Sequence, residues 1–273
     1  MLSNQSIIAI LLPAMIAGMI ATFINWRIHR DMDGVGWWPG GTAVSIAGGF
    51  LRVLEGGQPD VLAIVLADVL IIGGQFLMLY GLNRFAGRPM FTRTAIAITA
   101  LTVMGTFYFT SVMPDPVGRT FVFSAALAST FLLQGPALLM LGRREGFTGV
   151  AVLGFVYAVG IVILGGRIVV MAIYGALPSL DFNAGNMDSP VPLSQIVVVI
   201  YTTVLVTLRA YGYILISSNR VQALLRLTAT VDDLTGLPNR RAFEEEMRRI
   251  APRVRRERIN FGLAVMDIDY FKH

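Results

Sequence analysis

Asp267 and Asp269 close a short apolar run, Phe261 to Met266, and Lys272 follows them. Carboxylates two positions apart share one face of an extended chain, and hard cations such as Mg²⁺ take oxygen ligands that they commonly share with phosphates. The apolar run has the length of a buried strand, and open α/β sheets commonly carry their chemistry at the carboxyl ends of such strands. The pattern therefore allows a metal-assisted phosphate site, although an Asp-x-Asp at a strand end is often only solvated turn chemistry. A second pair of charged residues, Asp68 and Arg167, sits inside long apolar stretches. Ionisable groups at membrane depth are costly and are often functional.

The elements that must position these groups follow from composition. The 273 residues are 55% hydrophobic and 14% charged, with mean hydropathy +0.67, whereas about a quarter of the residues in an ordinary soluble globule are charged. This is the composition of a membrane protein. There are no cysteines, which excludes disulfides, thiolate metal sites and a cysteine nucleophile. The net charge of +5 divides into 11 Arg against 9 acids before Ser218 and 11 basic against 8 acidic residues from there on. Neither part is basic enough to point to nucleic acid as a partner, and the excess reads as orientation in a bilayer.

Apolar runs able to cross about 30 Å of hydrocarbon at ~1.5 Å per residue occur at 6–26, 61–82, 91–112, 118–141, 148–175 and 193–217. The first lacks a preceding basic region and is longer than a signal-peptide core, so it reads as a retained helix. A glycine-rich stretch at 36–54, opened by Trp37 and Trp38, is undecided by hydropathy alone. Loop charge decides it, because short cytoplasmic loops collect Lys and Arg. With seven spans, one side receives Arg27, Arg30, Arg84, Arg88, Arg93, Arg143, Arg144 and Arg220. The other receives Glu55, Asp60, Asp115, Asp181 and Asp188, with Arg52 and Arg119 as its bases. The expectation is a mostly α, multi-pass bundle over 1–217 with seven transmembrane helices, the N-terminus outside and the C-terminus in the cytoplasm. Ser179 to Pro192 reads as an irregular external connection. Any stimulus is then read by the helices, the lipid or a membrane partner.

In this frame Asp68 and Arg167 lie seven and eight residues from the outer ends of the third and sixth helices, a matching depth of roughly 10–12 Å. They could pair, or line an outward-facing pocket that Arg52 and Arg119 make attractive to an anion. A static pair or an arginine reaching the headgroups is the alternative. Arg209, near the inner end of the last helix, is expected to snorkel to the surface.

The last helix is expected to continue as a cytoplasmic linker over 218–231, with Val221, Leu224, Thr228 and Val231 forming a short coiled-coil-like seam. Asp232 and Asp233 would end it. Thr235 to Asn239 then has the residues of a turn, with Gly236 permitting positive φ, Pro238 fixing φ and Asn239 placed as an N-cap. A helix should begin at Arg240 with Phe243, Met247, Ile250 and Val254 on one buried face. Glu244, Glu245 and Glu246 near its start and Arg253 to Arg258 near its end suit the helix dipole. Pro252 should kink it or end it early.

The order Asp232-x-Leu-Thr-Gly-Leu-Pro-Asn-Arg-Arg-x-Phe243, amphipathic helix, apolar strand, Asp267-Ile-Asp-x-Phe-Lys272 resembles the beginning of a GGDEF domain, the diguanylate cyclase family. More loosely, Pro59 to Asp68 and Tyr80 to Gly87 resemble the seven-helix modules that precede such domains in bacteria. The resemblance implies a ferredoxin-like α/β domain over 232–273, represented by one helix and one strand, and a homodimer formed through the linker helix and that domain. Two facing subunits loaded with GTP and Mg²⁺ or Mn²⁺ would condense it to cyclic di-GMP. On this resemblance Asp267 supplies a metal-binding side chain and Ile268 a backbone carbonyl. Tyr270 and Phe271 offer amides to the GTP phosphates, and Lys272 is a phosphate-facing cation. Asp232 and Arg240 form the structural joint to the incoming helix.

On the resemblance, the family's guanine-binding Asn and Asp, its GG[DE]EF turn and any inhibitory Arg-x-x-Asp would fall after His273. The expectation is therefore the front of a bacterial inner-membrane protein whose tail is loosely ordered, binds no cofactor alone and is inactive alone, with membrane lipid and GTP as partners of the intact form. A degenerate domain or a hybrid with a phosphodiesterase remains open, as does a transporter- or receptor-like helical protein.

Overall fold

The computed structural model describes residues 4–54, 61–145, 148–174, 193–228, 230–232, 234–257, 262–264 and 266. Among these residues eight α-helices follow in order: α1 (Asn4–Ile28), α2 (Trp37–Leu54), α3 (Val61–Phe85), α4 (Thr92–Phe107), α5 (Pro116–Glu145), α6 (Thr148–Tyr174), α7 (Leu193–Thr228) and α8 (Arg240–Glu257). Five helical segments among the described residues, 61–85, 92–112, 117–144, 148–170 and 200–225, are long and apolar enough to cross a membrane. The chain divides into two compact units, 1–220 and 221–273.

Unit 1 is a bundle whose helix ends are fixed by local chemistry. Asp115 Oδ1 accepts from Val117 N at 2.9 Å, and Pro116 occupies the first turn of α5, where a missing N–H costs nothing. At the end of α3, Gly87 takes φ +68°, Gly87 N donates to Arg84 O at 3.0 Å and Arg88 N to Asn83 O at 2.8 Å. This is a Schellman stop, which needs a residue that tolerates left-handed backbone. The α4 helix leaves α-geometry in a π-turn, Tyr108–Val112, so the fourth apolar run is helical throughout but changes pitch near its end.

The tightest contact in the bundle joins α2 to α3. Gly41 and Gly48, seven residues apart on α2, meet Gly74 and Ala67 on α3 in reverse order. A Cβ on Gly41 would stand 2.6 Å from Gly74 O, and one on Gly48 would stand 2.7 Å from Ala67 O. Small residues at this repeat let two backbones touch. The glycines that lower the hydropathy of α2 are thus its packing surface, and the two helices run antiparallel along the length of α2. The main core joins α2, α3, α5, α6 and α7 through Trp38, Met78, Leu82, Phe131, Leu153, Tyr157 and Tyr213. Outward, the bundle presents Ile96, Leu101, Leu132, Leu139, Phe155 and Val162. So broad an apolar exterior fits helices that are long and apolar enough to cross a membrane.

Several contacts gather one end of unit 1. Arg84 pairs with Asp33 at 3.0 Å, Arg220 Nη2 donates to Phe85 O at 2.8 Å, and Asn219 Nδ2 donates to Thr148 Oγ1 at 3.3 Å. The chain between α1 and α2, the end of α3, the start of α6 and the part of α7 around Arg220 therefore share that end.

Three expectations are corrected in unit 1 and the linker. Arg209 does not snorkel: it is 3% exposed, and its Nη1 donates to Gln75 Oε1 on α3 at 2.9 Å. The reason is register, since Tyr201, Arg209 and Tyr213 fall on one inward stripe of α7. Val231 lies outside the last helix, which ends at Thr228, and instead bridges Pro238, so it takes no part in a helical seam. Asp232 correspondingly belongs to a turn beyond the helix. The Ser179 to Pro192 connection lies outside the described residues.

In unit 2, α8 continues through Pro252 to Glu257, so the proline neither ends the helix nor truncates the basic stretch. Phe243 is 44% exposed and Met247, Ile250 and Val254 are half-buried, in place of the buried face expected from their spacing. No strand is present among the described residues, and 262–264 and 266 belong to none. A strand exists by virtue of its ladder, and no described segment pairs with that run.

Candidate functional site

The segment that follows α7 folds around Asp232. Its Oδ1 accepts from the Thr235 hydroxyl at 2.8 Å, Thr235 N at 2.9 Å and Leu234 N at 3.2 Å. Those bonds, the hydroxyl's first, hold the carboxyl below the usual aspartate range. Gly236 supplies the left-handed residue at φ +67°, and its N–H donates to Asp232 O at 2.9 Å. Asp232 N donates to Leu237 O at 2.8 Å and Asn239 N to Thr230 O at 2.9 Å, around the Val231 and Pro238 bridge. The result is a closed ten-residue loop, 230–239.

The loop ends in a helix cap. Asn239 Oδ1 accepts from Arg241 N and Ala242 N, both at 3.1 Å, which satisfies two of the donors a helix start leaves free. Arg240 then pairs with Glu244 at 3.0 Å along an exposed face of α8, and Arg241 with Glu245 at 3.7 Å. Exposed pairs of this kind contribute little, so the cap and the Asp232 turn do most to define where α8 begins. Turn, cap and amphipathic helix thus appear in the order that the spacing of 232–254 predicts.

Residues 229–273 match the family model described as Diguanylate cyclase, GGDEF domain. This segment belongs to the GGDEF family. No curated protein and no solved structure gives a significant match to the chain. Within the GGDEF segment, Asp232 and Arg240 are described and placed as above, Asp232 inside the turn and Arg240 at the first position of α8. Asp267, Ile268, Tyr270, Phe271 and Lys272, on which the metal and phosphate readings rest, lie outside the described residues. Among the described residues there is no cluster of three His, Cys, Asp or Glu side chains that could hold a metal.

The intramembrane candidates are in the bundle. Asp68 on α3 is buried, and its Oδ2 accepts from Thr106 Oγ1 on α4 at 2.9 Å. Arg167 is half-buried on α6. Arg119, expected near a pocket mouth, is buried near the start of α5.

A second polar centre was not anticipated. Gln75 takes the Arg209 guanidinium on its Oε1 and donates from Nε2 to Ser45 Oγ on α2 at 3.4 Å; Ser45 Oγ in turn donates to Ile71 O at 3.2 Å. Beside it the Trp38 ring stacks on Tyr213 with centroids 4.3 Å apart and planes 3° from parallel, and the Tyr213 and Tyr157 hydroxyls stand 3.4 Å apart. Polar and aromatic groups from α2, α3, α6 and α7 thus interlock. The signal in the sequence was depth: Gln75 lies ten residues before Phe85, and Arg209 eleven before Arg220, residues that touch in the fold.

Proposed function

We propose that these 273 residues are the membrane-embedded input module and the opening of the output domain of a bacterial diguanylate cyclase. The observation that carries this reading is the family match over 229–273, which begins one residue beyond α7, a helix of 36 residues. A change in the bundle that shifts or rotates α7 acts directly on whatever domain the GGDEF turn introduces.

In this reading all seven helices of 1–217 cross the inner membrane, with the N-terminus outside and the C-terminus in the cytoplasm. Support for the two helices beyond the five most apolar segments comes from packing. The α2 helix lies antiparallel against α3 through Gly41 and Gly48, and Asp33, ahead of α2, pairs with Arg84 at the end of α3. Arg84, Arg88, Arg143, Arg144 and Arg220 gather at one end, the pattern of a cytoplasmic face.

With a complete GGDEF domain, Asp267 and the Ile268 carbonyl would hold Mg²⁺ or Mn²⁺, whose role is to neutralise charge on the GTP phosphates. A carboxylate and a carbonyl are the hard oxygen donors such an ion takes. Tyr270 and Phe271 amides and the Lys272 ammonium would bind and orient the phosphates. Positioning of one GTP's 3′-hydroxyl in line with the other's α-phosphate is the contribution asked of the protein, with cyclic di-GMP and pyrophosphate as products and two subunits face to face. Asp232 and Arg240 form the joint between α7 and that domain. Asp68 and Arg167 line the sensing part of the bundle.

The test is cyclic di-GMP in cells expressing this chain joined to a complete GGDEF domain, beside an Asp267→Ala version at equal membrane level. Loss of the nucleotide signal in the variant is expected. Equal levels in both would point to the degenerate or phosphodiesterase-linked form.

A further inference from the structure

At the arginine-rich end of unit 1, the turn after α3 and the last two turns of α5 enclose an open groove of about 400 Å³ lined by Arg88, Pro136, Leu139, Met140, Arg143 and Arg144. Its two parts differ in chemistry. Pro136, Leu139, Met140 and Arg143 recur at three, four and seven residues, one face of α5, and Leu139 is 71% exposed within the apolar exterior of the bundle. The floor is therefore open to hydrocarbon.

The rim holds three guanidiniums. Arg88 is fixed there by the Schellman stop, whose N–H to Asn83 O bond is made by Arg88 itself. Among the described side chains, which do not include that of Glu145, no carboxylate comes within ion-pair distance of Arg88, Arg143 or Arg144, and Arg88 Nε is buried from solvent without an acceptor among them. Three like charges thus converge on one groove. By contrast Arg84 and Arg220, at the same end, each have an oxygen acceptor.

The geometry points to a binding site for an anionic glycerophospholipid, its phosphodiester held by Arg88, Arg143 and Arg144 and an acyl chain lying along Pro136, Leu139 and Met140. Guanidinium forks match phosphate oxygens, and basic pockets between membrane helices at the cytoplasmic side take anionic headgroups. A soluble phosphate would use the rim and leave the apolar floor unused; a lipid uses both. The bound lipid would clamp the end of α5 to the turn after α3, and so couple the composition of the inner leaflet to the end of the bundle from which α7 leaves. This inference rests on the membrane reading of unit 1 but not on cyclase activity.

The experiment uses the full chain purified in a neutral detergent, with phosphatidylglycerol, phosphatidylcholine and glycerol 1-phosphate as probes, read by native mass spectrometry of retained lipid and by the thermal midpoint. Phosphatidylglycerol is expected to be retained and to raise the midpoint, while phosphatidylcholine and glycerol 1-phosphate do neither. The Arg143→Gln/Arg144→Gln variant should hold phosphatidylglycerol about tenfold less tightly or worse, and the Arg143→Lys/Arg144→Lys variant should recover part of that loss. Should the double glutamine variant fail to fold, Arg88→Gln alone serves the same comparison. Equal retention of both lipids, an effect of glycerol 1-phosphate alone, or unchanged retention in a folded variant each overturns the proposal. A chain absent from the membrane fraction altogether would instead overturn the membrane reading.

Discussion

Adjacent glycines on α3 should respond to alanine in opposite ways. A Cβ on Gly73 would find no heavy atom within 4 Å, so Gly73→Ala only removes the conformational freedom that makes glycine a poor helix residue, a gain of roughly 0.5–1 kcal/mol. A Cβ on Gly74 would collide with the Ser45 hydroxyl and stand 2.5 Å from Gly41 O and 2.7 Å from Ser45 N. Two of those three neighbours are backbone atoms of α2, which no rotamer change can move aside. The helices must separate, and overpacking of that kind costs about 1–3 kcal/mol. Set against the gain at Gly73, the two variants should differ by about 1.5–4 kcal/mol, or between about tenfold and several hundredfold in the unfolding equilibrium. Reversible unfolding of the full chain in mixed micelles measures it. Gly40→Ala and Gly41→Ala repeat the comparison from the α2 side, since a Cβ on Gly40 meets nothing within 4 Å and one on Gly41 would stand 2.6 Å from Gly74 O. If Gly74→Ala proved as stable as Gly73→Ala, the close α2 to α3 contact, and with it the packing support for α2 as a spanning helix, would be refuted.

The buried Arg209 and Gln75 bond should show coupling: Gln75→Leu strands a guanidinium, Arg209→Met strands an amide oxygen at about 1–3 kcal/mol, and the double variant should be more stable than Gln75→Leu alone. Additive losses in the same micelle assay would contradict the pairing. Asn239→Ala removes the cap on Arg241 N and Ala242 N and should cost about 1 kcal/mol, seen as faster amide exchange in the first turn of α8 with later turns unchanged. For Asp232, the folded-state carboxyl is depressed, chiefly by the Thr235 hydroxyl, so its contribution is present above the ordinary aspartate value near 4 and is lost as pH falls through the lower folded value. The protection of the Leu234 and Thr235 amides, measured against their intrinsic exchange rates, should therefore fall as pH drops below the ordinary aspartate value and through the lowered folded one, and Asp232→Asn should abolish that pH dependence.

What could be read from sequence was what local chemistry decides. The helices over 61–82, 118–141 and 148–175 were plain from apolar length, and Gly236, Asn239 and the start of α8 from turn and cap residues, since each depends on a few neighbours. What could not be read depends on partners distant in the chain. Arg209 looked like a snorkelling residue because its distance from the helix end was visible while Gln75, 134 positions earlier, was not. The weak hydropathy of α2 concealed a packing surface, because glycine counts against burial on any scale yet gains its contact from the backbone opposite. Val231 has the spacing of a helix seam, but its bridge to Pro238 closes a loop that helix periodicity cannot express. Phe261 to Met266 has the composition of a strand, and composition supplies no ladder partner. At the intramembrane candidates, the sequence located Asp68 at depth but not its hydrogen bond to Thr106.

The central claim is that one bundle carries the GGDEF segment to the cytoplasmic face of a membrane, with α2 crossing alongside α3. Because the chain has no cysteine, single cysteines can be placed at Asp31, Met113 and Leu234, all exposed, and labelled with an impermeant maleimide from either side. The account predicts that Asp31→Cys and Leu234→Cys react only from the cytoplasmic side and Met113→Cys only from the outside. Labelling of Asp31→Cys from the outside together with Met113→Cys would contradict it.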